Sequence, residues 1–157
     1  MSSNLFDMTN KVALITGSSK GIGRAIAEEM VRQGAKVVIS SRKADVCQEV
    51  ADAMNAEAKA SGNKTGEAIV IPAHVGQREA LQHLVDETRV RLGQIDGLVC
   101  NAAVNPFYGS MQELPDDAMD KILDINIKSN HWLVNMVLPE MIERKDGAII
   151  IVSSAVS

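Results

Sequence analysis

The sequence predicts an α/β fold built on a doubly wound parallel sheet with strand order 3-2-1-4-5, and three observations support this prediction. Short apolar runs alternate with longer amphipathic segments along the chain, as they do where helices connect buried parallel strands. A glycine-rich turn separates the first apolar run from the first amphipathic segment. The right-handed sense of such crossovers leaves few possible strand orders. We therefore expect a Rossmann fold.

The apolar runs define the strands. The first run, Val-Ala-Leu-Ile at residues 12–15, ends at the glycine turn, and the second contains Val37-Val38-Ile39. Pro72 stands near the end of the third run, and a turn at Asp146-Gly147 precedes the last. Each run is short and apolar, which is typical of a strand covered on both faces. The predicted strands are residues 12–15, 36–40, 68–73, 98–100 and 148–152.

The segments between the runs have helical periodicity. In the first helix, Ile22, Ile26 and Met30 recur every four residues and form one apolar stripe. Gly34 is placed to end this helix in the left-handed conformation. The second helix is rich in alanine, and the third has an apolar side. The apolar residues of the third helix are Leu81, Leu84, Val85 and Leu92, and the three predicted helices are residues 21–33, 44–60 and 77–92.

A single long helix is predicted over residues 116–144. Acidic residues follow Pro115 at its start, where they stabilise the positive end of a helix. Pro139 lacks a backbone N–H group and should kink the helix. Trp132, Met136 and Met141 form an apolar stripe, which fits packing of the helix against the sheet.

Composition restricts the class of protein. The 157 residues carry a net charge of −4 and only 3% aromatic residues, which argues against a nucleic-acid-binding surface. No apolar run approaches the roughly 18 residues of a membrane span. The cysteines and histidines lack metal-ligand spacing, so we expect no metal. Cys47 and Cys100 fit free thiols in the cytoplasm or another reducing compartment.

The glycine turn predicts a nucleotide site. Glycines at 17, 21 and 23 lie between a strand and a helix, where a pyrophosphate can approach backbone N–H groups without meeting Cβ atoms. The alternative is a tight turn without a ligand. The spacing is G-x-x-x-G-x-G rather than the usual G-x-G-x-x-G. The predicted cofactor-binding residues of this turn are Thr16, Gly17, Ser19, Lys20, Gly21, Ile22 and Gly23.

Further motifs follow this turn in a fixed order. Asn101-Ala102-Ala103 follows the fourth predicted strand, Asn126 lies in the last helix, and Val152-Ser153-Ser154 ends the fifth strand. With this set the chain resembles the short-chain dehydrogenase/reductase family. His74-Val75-Gly76 and residues 101–107 resemble its NADPH-dependent carbonyl and retinal reductases. The resemblance implies hydride transfer between NADP(H) and a small ketone, aldehyde or alcohol. It also implies a homo-oligomer, either a dimer or a tetramer, in which Trp132, Met136 and Met141 help to form the subunit contacts. It implies that residues 1–157 are one incomplete Rossmann domain without its later strands and helices.

Cofactor choice depends on the end of the second strand. An acidic residue there would bind the ribose 2′-hydroxyl of NAD, but the chain has Ser41 and Arg42. Arginine matches the geometry of a phosphate, so we predict NADP(H), with Lys20 adding positive charge. The alternative is that Arg42 only faces solvent. The resemblance places His74 and Val75 at the adenine and Asn101, Ala102 and Ala103 beside the cofactor. The alternative for His74 is a side chain satisfied by backbone.

The resemblance implies two catalytic residues, Ser154 and Asn126. The serine would polarise the substrate carbonyl, and the asparagine would hold a water in a proton relay. The alternatives are a loop serine and an exposed helical asparagine. The family's Tyr-x-x-x-Lys motif does not occur, because Tyr108 is the single tyrosine and Gln112 follows it at the lysine spacing. We therefore expect these residues alone to lack reductase activity. The alternative function is a non-catalytic nucleotide-binding or assembly module.

Overall fold

The computed structural model describes residues 5–154, which form a five-stranded parallel sheet in the order β3-β2-β1-β4-β5. The order predicted from the sequence is confirmed. Each strand begins within a residue or so of its predicted start. The strands are β1 (Val12–Thr16), β2 (Lys36–Ser40), β3 (Glu67–Val70), β4 (Gly97–Cys100) and β5 (Ala148–Ile151).

Helices cover both faces of this sheet. On one face, Ala13 and Ile15 of β1 join a core formed with α1 (Gly21–Arg32) and α2 (Ala44–Ala60). On the other face, Leu14 joins a core formed with α3 (Arg78–Leu92) and α5 (Ser129–Arg144). All of β1 is therefore buried, which explains its uninterrupted apolar sequence. The helices are α1 (Gly21–Arg32), α2 (Ala44–Ala60), α3 (Arg78–Leu92), α4 (Asp116–Ile122) and α5 (Ser129–Arg144), with a short 3-10 helix at Met111–Glu113.

The apolar stripe predicted for α1 packs against the core at Ile26 and Met30 but not at Ile22. Ile22 is 64% exposed, whereas Gly23, Ala27 and Val31 are buried. The small Gly23 lies directly against the backbone of the glycine turn, so this face turns inward and Ile22 turns outward. Gly34 ends the helix region with a φ of +96°, as predicted.

The third strand is shorter than predicted. Regular pairing ends at Val70, although the N–H groups of Ile71 and Ala73 still donate to the carbonyls of Ile39 and Ser41 at 3.2 and 3.1 Å. Pro72, between them, has no N–H group to contribute.

The predicted long helix spans residues 116–144 without a break, as expected, but it is not α-helical throughout. A π-helical segment, Leu123–Lys128, separates α4 from α5. The N–H group of Ser129 donates to the carbonyl of Asp124, five residues earlier, rather than four. Side-chain hydrogen bonds, described below, stabilise this shift, and apolar periodicity cannot reveal them. Pro139 lies inside α5, and its kink stays a prediction.

The apolar stripe of α5 belongs to the core. Met141 is buried, and Trp132 and Met136 pack against the same cluster. The guanidinium of Arg89 donates to the carbonyl of Met136 at 2.7 Å, which joins α3 to α5.

Candidate cofactor site

The glycine turn lies against the loop that follows β4. Gly17 has a φ of +66°, and a Cβ atom there would lie 2.9 Å from the Cα atom of Ala102. A Cβ atom on Gly23 would lie 2.5 Å from the carbonyl oxygen of Gly17 and would also collide with the Asn101 amide. Glycine is therefore required at both positions for close packing of the turn.

Gly21 serves a different purpose. Its φ is +56°, yet a Cβ atom there would meet no atom within 4 Å, so space lies in front of the start of α1. No side chain caps this end, and its first turn has no acidic residue. The first turns of α2, α3 and α4 each contain one or two. The unneutralised end of α1 thus fits the pyrophosphate of a dinucleotide.

Thr16 and Asn101 join β1 to the loop after β4. The hydroxyl of Thr16 accepts hydrogen bonds from the backbone N–H groups of Asn101 and Ala102, both at 3.1 Å. The Asn101 side chain donates to the carbonyls of Thr16 and Gly17, also at 3.1 Å. These contacts bring together five of the predicted cofactor-binding residues: Thr16, Gly17, Gly23, Asn101 and Ala102.

Ser18 also holds the turn, and the sequence analysis missed it. Its buried hydroxyl donates to the carbonyl of Ile15 at 2.8 Å and accepts from the N–H group of Ser40 at 2.9 Å. It therefore connects the carboxyl ends of β1 and β2. A serine inside a glycine turn could have indicated this role, but the sequence does not show whether Ser18 or Ser19 faces the interior.

The residues predicted to select the cofactor lie where β2 ends. The Ser41 hydroxyl is 3.1 Å from the Cys47 thiol and accepts a 3.4 Å hydrogen bond from the N–H group of Lys43. Arg42 is exposed, and no residue within the described range 5–154 pairs with its guanidinium group. Lys20 is also exposed, just before α1. Arg42 is thus available to an anionic ligand.

His74 is bonded to backbone through one ring nitrogen. Its Nδ1 atom accepts a hydrogen bond from the N–H group of Gly76 at 3.1 Å. This tight turn requires the proton on Nε2 of the neutral ring. Val75 packs against the core beneath α3. His74 thus has the backbone hydrogen bond that the alternative interpretation expected, at Nδ1. Contact between His74 and the adenine stays a prediction.

The two predicted catalytic residues have different surroundings. The Asn126 amide forms a pair of hydrogen bonds with the backbone of Val104, accepting at 2.8 Å and donating at 2.9 Å. Ser154 is exposed beyond β5. The N–H group of Val152 still donates to the carbonyl of Cys100, so Ser154 follows β5 at the edge where Asn101 follows β4. Their catalytic roles stay predictions. Tyr108 is 88% exposed.

Cys100 lies directly below this edge. Burial raises the pKa of its thiol to about 11, because a thiolate is poorly solvated there. Cys47 and Cys100 are both free and buried. Within residues 5–154, no three His, Cys, Asp or Glu side chains are grouped as a metal site. The same range contains no helix with the length and apolarity that a membrane span requires.

Comparison with known proteins identifies the family. The model of the short chain dehydrogenase family matches residues 11–157. The chain belongs to this family. Short-chain dehydrogenases similar to it include bovine dehydrogenase/reductase SDR family member 4, which is 45% identical over 148 residues. Human SDR family member 2, described as mitochondrial, is 44% identical over 147 residues. These matches cover 94% of this chain and 50% of each relative, so the chain spans about half the length of these relatives.

Solved structures of short-chain dehydrogenases have the same fold. A metagenomic short-chain oxidoreductase in complex with NADP matches 96% of this chain and 65% of its own length, with a TM-score of 0.85 and 29% identity. A hydroxysteroid dehydrogenase from Escherichia coli matches 97% of this chain and 61% of its own, with a TM-score of 0.85 and 28% identity.

Proposed function

We propose that the chain is the cofactor-binding part of an oxidoreductase that transfers hydride between NADP(H) and a small ketone, aldehyde or alcohol. The open start of α1 carries this proposal. Its first turn has no acidic residue to neutralise it, and a Cβ atom on Gly21 would meet nothing within 4 Å, so the approach is clear. The NADP complex of a similar short-chain oxidoreductase supports the choice of cofactor. Once bound, NADP(H) would supply or accept the hydride.

The exposed guanidinium of Arg42 supports NADP(H) over NAD(H). It follows β2, where the 2′ position of the adenosine ribose is expected in this fold. A 2′-phosphate would give Arg42 a forked anionic partner, and Ser41 would offer a hydroxyl. An unpaired arginine would give NADH no such gain. In this proposal Ser154 donates a hydrogen bond to the substrate oxygen, and Asn126 orders the loop after β4.

Titration of the chain with NADPH and with NADH tests the proposal. We expect tighter binding of NADPH. Arg42→Ala should weaken NADPH binding roughly ten- to hundredfold, the effect of losing a charge-assisted hydrogen bond, and should leave NADH binding unchanged. Lys64→Ala is the matched control, because Lys64 is an exposed cation before β3, at the opposite edge of the sheet. Equal or tighter binding of NADH would contradict the proposal.

The proposal assigns binding, rather than turnover, to these residues alone. The sequence has no Tyr-x-x-x-Lys motif to supply the proton, so the chain should show no NADPH-dependent reduction of ketones.

We also propose a homo-oligomer in a reducing compartment. Ile127, Leu138 and Ile142 are 62%, 36% and 64% exposed and share one side of the last helical region, where a second copy could cover them.

A further inference from the structure

Two consecutive side chains at the start of α5 bond to carbonyls of the π-helical segment. The Ser129 hydroxyl donates to the carbonyl of Ile125 at 2.6 Å. The Asn130 amide donates to the carbonyl of Asn126 at 2.8 Å. Ser129 is 1% exposed and Asn130 is 9% exposed, so both are polar groups in a buried position that hydrogen bonds must stabilise.

The shifted hydrogen bonding of the π-helical segment explains why these side chains are needed. In an α-helix, the N–H group of Ser129 would donate to the carbonyl of Ile125. Here it donates to Asp124 instead, and the Ser129 hydroxyl takes its place at Ile125. The Asn130 side chain also donates to the carbonyl four residues earlier, that of Asn126. Side chains therefore supply hydrogen bonds where the backbone register changes.

Asn126 connects the Asn130 side chain to the loop after β4. Its main chain is bonded by Asn130, while its side chain makes both hydrogen bonds to the backbone of Val104. Val104 directly follows Asn101, Ala102 and Ala103. Asn101 in turn donates to the carbonyls of Thr16 and Gly17 in the glycine turn.

We propose that Asn130 is a positioning residue of the cofactor site, acting through Asn126 and Val104. It fixes the carbonyl of Asn126, which keeps the Asn126 amide aligned with Val104 and the loop seated against the glycine turn. The effect of Asn130 on cofactor binding rests on the proposed function, whereas its effect on the position of the loop after β4 does not. Ser129 is one residue removed, because it bonds to Ile125 rather than to Asn126.

Asn130→Ala and Asn130→Ser, made in the full chain, test this role. Alanine removes the donor. Serine restores one, because hydroxyls at Ser129 and Thr88 already donate to the carbonyl four residues earlier in this chain, at 2.6 and 2.7 Å. Asn135→Ala is the matched control, since Asn135 is exposed on the same helix and its side-chain amide lies 3.0 Å from a ring nitrogen of His131, away from the loop after β4. If Asn130→Ala does not fold, Asn130→Leu retains the side-chain volume without the donor.

Hydrogen exchange at the Val104 amide is the first measurement, and NADPH affinity is the second. We expect Asn130→Ala to lower the protection of Val104 roughly tenfold, with Leu14 in the sheet unchanged, and to weaken NADPH binding by a similar factor. Asn130→Ser and Asn135→Ala should match the wild type in both. An equal loss of protection at Val104 and Leu14, unchanged Val104 protection, or loss of folding in both the alanine and leucine variants would overturn the proposal. If the wild type bound neither NADPH nor NADH, the proposed function would fail, and exchange at Val104 would still decide the role of Asn130.

Discussion

Alanine substitutions at Gly21 and Gly62 separate two effects of a glycine: the left-handed backbone conformation that it allows and the space that it leaves for the cofactor. Gly21 has a φ of +56° and Gly62 a φ of +76°, and a Cβ atom on either would meet nothing within 4 Å. Gly21 begins α1 in the glycine turn, whereas Gly62 follows α2. Alanine therefore introduces the same conformational strain at both, with no steric collision at either.

The expected loss of stability is small and equal in the two alanine variants. A left-handed alanine costs about 1–2 kcal/mol, and the lower entropy of the unfolded chain offsets about 0.4–1 kcal/mol of this. Gly21→Ala and Gly62→Ala should each lower the free energy of unfolding by about 1 kcal/mol, which corresponds to a fall in Tm of about 3 °C for a domain of this size. Urea and thermal unfolding without ligand measure both quantities.

Cofactor binding should distinguish the two variants. The methyl group of Gly21→Ala would occupy the space in front of the open end of α1, so it should weaken NADPH and NADH binding alike, by at least about tenfold. The pyrophosphate is common to both cofactors, which is why both should be affected. Gly62→Ala should bind like the wild type. Wild-type affinity in Gly21→Ala, or an equal loss in Gly62→Ala, would refute the assignment of this turn as a phosphate site.

Two further predictions concern the packing around the site. Gly23→Ala should lower the free energy of unfolding, measured in urea, by roughly 2–4 kcal/mol, since overpacking and the loss of two Asn101 hydrogen bonds outweigh the gain of about 1 kcal/mol in helix propensity. Ala25→Gly is the control for propensity, because Ala25 is exposed on the same helix. Unchanged stability in Gly23→Ala would contradict the close packing. The raised pKa of Cys100, about 11 against an ordinary 9.0, means that the folded state retains the thiol proton longer than the unfolded state. Stability should therefore be constant below pH 9 and fall as the pH rises toward 11, and between pH 8 and 10 the wild type should lose about 1 kcal/mol more than Cys100→Ala. Equal losses in urea unfolding would show that the thiol is not the cause.

The sequence predicted the sheet well because parallel strands are buried on both faces. Val12–Thr16 has no exposed position, so its apolar run is uninterrupted and easily recognised. The position of glycines between this strand and the first helix then predicted the turn, since positive φ and close approach both restrict the residue type. These features are local, and a single sequence displays them directly.

The apolar stripe of α1 predicted its buried face only in part, because at Gly23 the size of the residue outweighed hydrophobicity. The periodicity of Ile22, Ile26 and Met30 is helical, but the close approach of Gly23 to Gly17 sets the rotation of the helix. This contact depends on the loop after β4, since Asn101 lies against both glycines. A large apolar residue near the site, Ile22, consequently faces solvent. Amphipathic pattern alone does not contain this information.

The π-helical segment within the long helix shows a second limit of the sequence, because only side-chain hydrogen bonds explain it. Asparagine and serine are poor helix formers, partly because their side chains compete for backbone groups. In residues 126–130 they do so at Asn126, Ser129 and Asn130, each of which bonds to a main-chain group. What looked like one special asparagine is thus a set of three that changes the helix register and holds Val104. Because the same loop bonds to Thr16 and Gly17, the shape of the cofactor site depends on residues of a helix that lies behind it. Variants in that helix should therefore alter affinity without removing any group expected to touch the cofactor.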